Sequence, residues 1–292
     1  IRLNTGRNSL EYILRCRQYK KVYVPYYTCE VILEPFKKTG TEYAYYHIDQ
    51  DLELAETINL EQDEALLYTN YFGLKQRYVG RLASLYDKQL IIDNTQAFYA
   101  KPIGGIDTFY TCRKFFGVPD GAYLYTTERL ESGLEQDISW DRMAFLTKRI
   151  DLGAEAGYAD FSEQSHLLVG QSVKRMSNLT KRLMESIEYA SSVRRRRENF
   201  IRLHETLKAT NNLDLDLEDD AVPLVYPYLV EGGSRLRQHL IDNKVFCARY
   251  WPNVLGWCTK SDWEYRLAED LVCLPIDQRY DSGDMQLILD LL

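Results

Sequence analysis

The chain has 292 residues, of which 45% are hydrophobic and 27% charged, and its formal net charge is −7. That composition describes a globular protein with a substantial core, and the acidic balance argues against nucleic acid or an anionic membrane as the main partner. No apolar run is long enough to span a bilayer and no signal-peptide pattern opens the chain, so membrane residence and secretion are not expected.

The six cysteines, Cys16, Cys29, Cys112, Cys247, Cys258 and Cys273, form no CxxC pair and read as reduced thiols of a cytoplasmic protein. His47, His166, His204 and His239 have no zinc-like spacing with them, and no metal site is expected.

Asn4 to Ser9 precedes a helical pattern with Leu10, Ile13 and Leu14 on one face, with Asn8 and Glu11 as a candidate capping box. A helix start opened by Gly6 offers free N–H groups and a positive dipole end, which suit a phosphate; taken alone, such a cap is ordinarily structural. Lys21 to Val24 reads as a strand leading into Pro25-Tyr26-Tyr27-Thr28-Cys29, where Thr28 is placed to cap the next helix. Tyr43 to Ile48 and Glu64 to Thr69 are further strands, the second ending at Asn70-Tyr71-Phe72-Gly73, and Tyr78 to Asp87 is a helix.

Leu90-Ile91-Ile92 is a short apolar run ending at Asp93, as expected of a buried parallel strand whose carboxyl end delivers an acid to a ligand crevice. After the Gly104-Gly105 turn, Asp107 to Cys112 is another strand, Lys114 stands at its exit beside Gly-Val-Pro-Asp-Gly, and Ala122 to Thr126 returns as a third. A lysine there is a useful nucleophile toward an aldehyde once desolvation or a neighbouring cation lowers its pKa, and a carboxylate beside it suits pyridoxal 5′-phosphate (PLP). Read singly, Asp93 caps a turn and Lys114 pairs with Asp120, so agreement along the whole chain has to decide.

Leu130 to Gly170 is mixed helix and loop without an assigned role. Apolar residues at helical spacing from Met176 to Leu207 predict a long helix over 171–210, broken near Val193, with Arg194 to Arg197 on a solvated face. The remainder alternates strand 224–230, helix 234–243, strand 245–250, a short helix 264–271, strand 272–276 and a terminal helix from Asp284. Alternating elements at these spacings predict an α/β, three-layer αβα fold with a mainly parallel sheet over residues 1–170, then a connecting helix and small C-terminal α+β domain over 171–292.

Asp93-Asn94-Thr95-Gln96, followed by Lys114, Gly117 and Asp120-Gly121, resembles the DegT family of PLP-dependent sugar aminotransferases, of the aspartate-aminotransferase-like fold. The resemblance runs in order from Gly6 to Tyr280 and includes Gly6-Arg7-Asn8-Ser9-Leu10, Arg175-Met176-Ser177, the Arg194–Arg197 run and Leu274-Pro275-Ile276-Asp277. It implies that Asp93 pairs with the pyridine nitrogen, Gln96 lies by the ring hydroxyl and Lys114 makes the covalent link to the cofactor. It also implies that Gly6, Arg7 and Asn8 hold the phosphate and that Asn70 lies near the site. Three departures accompany it. Phe109 replaces the usual serine five residues before the lysine, leaving Thr111 to touch the phosphate. Cys29 replaces the usual ring-stacking aromatic, a contact left to Tyr27 or to the sulfur itself. Val173 replaces the asparagine that reaches a partner subunit's phosphate.

The activity implied by the resemblance is transfer of an amino group from an amino acid to a keto-sugar, nucleotide-linked in the sense the family suggests, by a homodimer acting on small molecules. Elimination or another PLP reaction, or a non-catalytic binding or scaffold role, are the alternatives that the same fold accommodates.

Overall fold

Five strands share one direction and set the frame of the protein. The computed structural model describes residues 1–131 and 133–292. In chain order the first elements are β1 (Arg2–Leu3), α1 (Gly6–Arg17), β2 (Lys21–Pro25), α2 (Leu33–Thr39), β3 (Glu42–Tyr46), β4 (Glu64–Thr69), α3 (Gln76–Tyr86), β5 (Leu90–Asp93), β6 (Asp107–Thr111) and β7 (Ala122–Tyr125). They are followed by α4 (Ala144–Leu152), α5 (Tyr158–Leu167), α6 (Asn178–Glu185), α7 (Tyr189–Leu207), β8 (Val225–Leu229), α8 (Gly233–Asp242), α9 (Val254–Trp257), α10 (Trp263–Asp270), β9 (Leu271–Pro275) and α11 (Ser282–Asp290).

The seven-stranded sheet has the order β1-β7-β6-β5-β4-β2-β3. Strands β2 to β6 are mutually parallel, while β7 runs against both β6 and β1. Both faces are covered, which explains why the central strands are continuous apolar runs. Along β4 and β5 the side chains alternate between faces. Leu67 and Ile91 meet Leu10, Ile13 and Phe36 of α1 and α2, whereas Leu66, Tyr68, Leu90 and Ile92 join the cluster containing Val79 of α3 and Phe200 of α7. That second cluster continues into Tyr226, Trp251 and Val254, so the C-terminal part packs directly on the sheet's layer. Its own sheet is the antiparallel pair β8-β9.

Several local expectations are corrected. Residues 245–250 form no strand; only Ala248 bridges to Cys273, so β8 and β9 stand without a third partner. Thr5, not Asn8, caps α1, accepting a hydrogen bond from the Asn8 N–H at 3.1 Å. Glu11 instead pairs with Arg15 and Lys38. Thr28 is no cap: Cys29 occupies that position before the 3₁₀ turn Glu30–Ile32 and makes no side-chain capping bond.

The long helix breaks at 186–188, before Val193, where Ser186 N–H turns back to the Leu183 carbonyl. The arginine run is not a uniformly solvated face either. Arg196 is 1% exposed, because α7 turns it inward with Asn199, Phe200 and Leu203. Its Nε donates to Gln278 Oε1 at 2.9 Å and its Nη1 to the carbonyls of Pro223 and Leu224 at 3.2 and 3.1 Å. Asn199 Nδ2 donates to the carbonyls of Ile276, Asp277 and Tyr280, so α7 holds the turn that follows β9.

Candidate active site

The carboxyl ends of parallel strands β2, β4, β5 and β6 open on one edge of the sheet, and strand order reverses between β2 and β4, the position where open α/β sheets present a crevice. Asp93 ends β5, in register with Thr69 and Phe109. Its side chain is buried, and Oδ1 accepts from the Thr95 N–H at 2.8 Å. Burial pushes its pKa up, opposed by the Lys114 charge and by hydrogen bonds from Thr95.

Lys114 lies in the turn after β6. Its Nζ donates to Thr95 Oγ1 at 3.1 Å, and the Tyr250 ring centroid is 5.9 Å away. Part of the side chain is open to solvent, yet protein packed around the amine lowers its pKa by desolvation, opposed by Asp93 and Cys29. Lys114 makes no ion pair among the described residues. Asp120, the partner that sequence proximity suggests, is occupied elsewhere: it accepts from Ser177 N at 3.1 Å, Ser177 Oγ at 2.9 Å and the Thr180 hydroxyl, tying the lysine's turn to α6. Gly121, next along, has φ +109°, and a Cβ there would stand 2.8 Å from Thr180 Cγ2.

The amino end of α1 meets the same edge. A Cβ on Gly6 would lie 3.3 Å from Thr95 Cγ2 and 3.8 Å from Thr111 Cβ, so the missing side chain lets this helix start close onto the two threonines. The Gly6 and Arg7 N–H groups donate to nothing among the described residues, as the first turn of a helix requires of its unpaired donors. Arg7 Nη1 donates to Glu34 Oε2 at 2.7 Å. Arg113 binds Gln164 Oε1 through Nη2 at 2.5 Å and leaves Nε buried without a partner. Burial, then the charge of Arg7, draw Arg113 down to about 10. The helix dipole and Arg113 therefore favour an anion at this corner, while the Arg7 charge is balanced by Glu34.

The structure sorts the remaining candidate residues. Gln96 is fully buried; its Oε1 accepts from Phe72 N at 2.9 Å, and its Nε2 is an unpartnered buried donor. Asn70 is saturated by Gln76, Asn94 and the Lys75 N–H, which makes it a loop anchor. Asn8 is enclosed, with Nδ2 given to Asn4 Oδ1 and the Ser172 carbonyl, so its side chain serves the fold of this corner. Tyr27 is fully buried between Tyr71 and Trp251, ring centroids 5.6 and 5.1 Å away, while Cys29 stays partly open and within the electrostatic reach of Lys114. Phe109 and Val173 are core residues on the α1 face.

Three neighbours of Lys114 are not marked as site residues by the sequence. Thr95 sits inside the Asp93–Gln96 tetrapeptide and Arg113 adjoins the lysine, so proximity is their one signal. Tyr250 arrives from the C-terminal part and carries none.

No protein-family model matches the sequence, and no curated protein matches it. Solved structures do. The chain is similar over its whole length to DesV from S. venezuelae in complex with a ketimine intermediate, at 17% identity and a TM-score of 0.64, covering 83% of that chain. It is likewise similar to a DegT DnrJ EryC1 StrS aminotransferase from Brucella abortus (16% identity, TM-score 0.62, 100% of this chain and 84% of that one). A third is the sugar aminotransferase CalS13 from Micromonospora echinospora (15%, TM-score 0.61, 100% and 86%). The protein thus has the fold of these aminotransferases, with a seven-stranded, mainly parallel sheet between helical layers.

Proposed function

We propose that the protein is a PLP-dependent aminotransferase that moves an amino group from an amino acid to a keto-sugar carried on a nucleotide. The observation that carries this reading is the Lys114 amine, free of any ion pair among the described residues and held by Thr95 beside a buried carboxylate at the strand ends. The names of the structural neighbours support the same reading, since they are aminotransferases and one is a sugar aminotransferase.

The residues suit the cofactor chemically. An amine of lowered pKa suits an aldehyde, a buried carboxylate suits a pyridine nitrogen, and unpaired N–H groups at a helix start suit a phosphate. Gln96 Nε2 is an orphaned donor for a ring oxygen. When bound, PLP supplies an electron sink for a substrate carbanion.

In this assignment Asp93 would hold the pyridine nitrogen in its protonated form, and Lys114 would hold the aldehyde carbon and serve as the base that takes the proton from the donor's α-carbon and the acid that delivers it to the aldehyde carbon. Gly6 and Arg7 offer their N–H groups and Thr111 its hydroxyl to the phosphate, with Arg113 adding charge. Cys29, rather than the enclosed Tyr27, flanks the ring. Residues 1–170 act as the cofactor-binding domain and 171–292 as the companion that brings Tyr250 over Lys114.

We read the active form as a homodimer in the cytoplasm. Ile150 and Tyr158, 83% and 71% exposed, and Leu152, Leu167 and Val169 are large apolar side chains left exposed on α4, on α5 and just after it that a second copy would cover, and all six cysteines are free thiols. No helix among the described residues is long and apolar enough to cross a membrane. The test is product analysis with PLP, amino-acid donors and nucleotide-linked keto-sugars. An amino-sugar product with the matching ketoacid supports the reading, and release of ammonia and ketoacid without sugar amination contradicts it.

A further inference from the structure

Lys114 approaches Asp93 through a third side chain. The Nζ donates to Thr95 Oγ1 at 3.1 Å, and the Thr95 N–H donates to Asp93 Oδ1 at 2.8 Å. A hydroxyl has lone pairs to accept from the amine, so Oγ1 receives Lys114 while the backbone N–H of the same residue serves the carboxylate. The rotamer is set from the other side. Thr95 Cγ2 would stand 3.3 Å from a Gly6 Cβ, so its methyl faces the start of α1, and a β-branched side chain has little freedom at χ1 once its methyl is fixed.

We propose that Thr95 is a positioning residue for this site: its hydroxyl is the resting place of the Lys114 amine whenever that amine is not bonded to carbon, and its backbone N–H fixes the same residue to Asp93. The inference rests on the reading of Lys114 as the cofactor-binding lysine and adds a residue to it. A displaced lysine on a four-carbon stem has many rotamers, and a fixed acceptor holds it at the strand edge instead of releasing it to solvent. The same contact stabilises the ammonium form. The other groups that face the amine are Asp93 from β5, Cys29 from the segment after β2 and the Tyr250 ring from the C-terminal part. Of these, only Asp93 shares a hydrogen-bonding partner with Lys114, and that partner is Thr95.

The test compares Thr95→Val, which keeps the shape and removes the hydroxyl, with Thr95→Ser, which keeps the hydroxyl. Cofactor-free protein is labelled with acetic anhydride across a pH series, and the Lys114 peptide is quantified by mass spectrometry to give the amine's pKa. Loss of one neutral hydrogen bond to the ammonium lowers that pKa by about half to one unit in the valine variant, and serine restores the wild-type profile. A valine profile that coincides with wild type, or a serine profile shifted as far as valine's, overturns the proposal. Should the valine variant fail to fold, Thr95→Ala takes its place, and a shifted or unshifted profile is interpreted in the same way. Borohydride trapping of PLP on wild-type Lys114 is run in parallel. Its failure removes the functional reading, whereas the labelling profile decides the role of Thr95 independently of the cofactor.

Discussion

Replacing Arg196 by methionine removes a guanidinium that the protein has buried to 1% exposure, and the consequence follows from its partners. Gln278 Oε1, the Pro223 carbonyl and the Leu224 carbonyl lose a charged donor, and the Phe115 ring loses a cation 4.7 Å from its centroid. Each acceptor left dry costs roughly 1 kcal/mol or more, and the cation–π contact about 1 kcal/mol. Against this, no carboxylate among the described residues hydrogen-bonds Arg196, so the substitution also relieves the cost of keeping a charge out of water. The balance predicts a loss of about 2–4 kcal/mol. At about 2–4 °C per kcal/mol for a domain of this size class, Tm falls by roughly 4–16 °C.

Urea unfolding should show a lower midpoint at unchanged slope, with Arg196→Lys between wild type and Arg196→Met, because an ammonium reproduces the charge but not the fork. Gln278 still donates from Nε2 to the Phe115 carbonyl at 2.7 Å, so the turn beside Lys114 keeps that tie when the Arg196 contact with the Phe115 ring is lost. An Arg196→Met protein as stable as wild type would refute the claim that α7 holds the turn after β9 through this side chain.

Other substitutions test separate parts of the account. Gly121→Ala forces a side chain into φ +109° with its Cβ 2.8 Å from Thr180 Cγ2, and should cost about 3 kcal/mol; a Tm within error of wild type would contradict it. Lys114→Met should be more stable than wild type near neutral pH. Burial lowers the folded-state pKa below the ordinary 10.5, so the unfolded chain binds this proton more tightly and wild-type stability rises with pH up to that value. The advantage of the methionine variant therefore shrinks as the pH approaches 10.5, and an advantage that grows with pH would reverse the assignment. Asp93→Asn should lower kcat by on the order of 10²-fold while the absorbance-monitored affinity for PLP changes far less; equal loss in both would make Asp93 a structural cap.

How much of this is legible in the sequence depends on the range of the interaction concerned. Strands β4 and β5 announce themselves because both faces of each are covered, which leaves the apolar runs Ala65 to Tyr68 and Leu90 to Ile92 ending in a polar turn. The placement of Asp93 and Lys114 on one edge follows from strand direction alone.

Features decided by distant partners are not legible in this way. Residues 245–250 have strand-like composition, yet they meet β9 at the single bridge between Ala248 and Cys273 and do not continue along its edge. Arg196 looks like its solvated neighbour Arg194, and only the Pro223–Leu224 segment and Gln278 distinguish them. Asn8 has the right residue type for a cap, yet Thr5 stands three residues earlier with the same ability and takes the position. Tyr27 and Cys29 are two residues apart, and their opposite fates depend on Trp251, which belongs to the far end of the chain. A threonine between Asp93 and Gln96 has no periodicity to mark it; the meaning of Thr95 lies in the position of an amine nineteen residues on.

The central claim, that Lys114 is a cofactor-binding amine, is tested most directly by an absorbance spectrum of the purified protein with PLP, followed by borohydride reduction and peptide mapping. The predicted result is a new absorption band on mixing and a reduced phosphopyridoxyl adduct on the peptide carrying Lys114, with neither in Lys114→Ala. An adduct on a different lysine, or none at all, would contradict it.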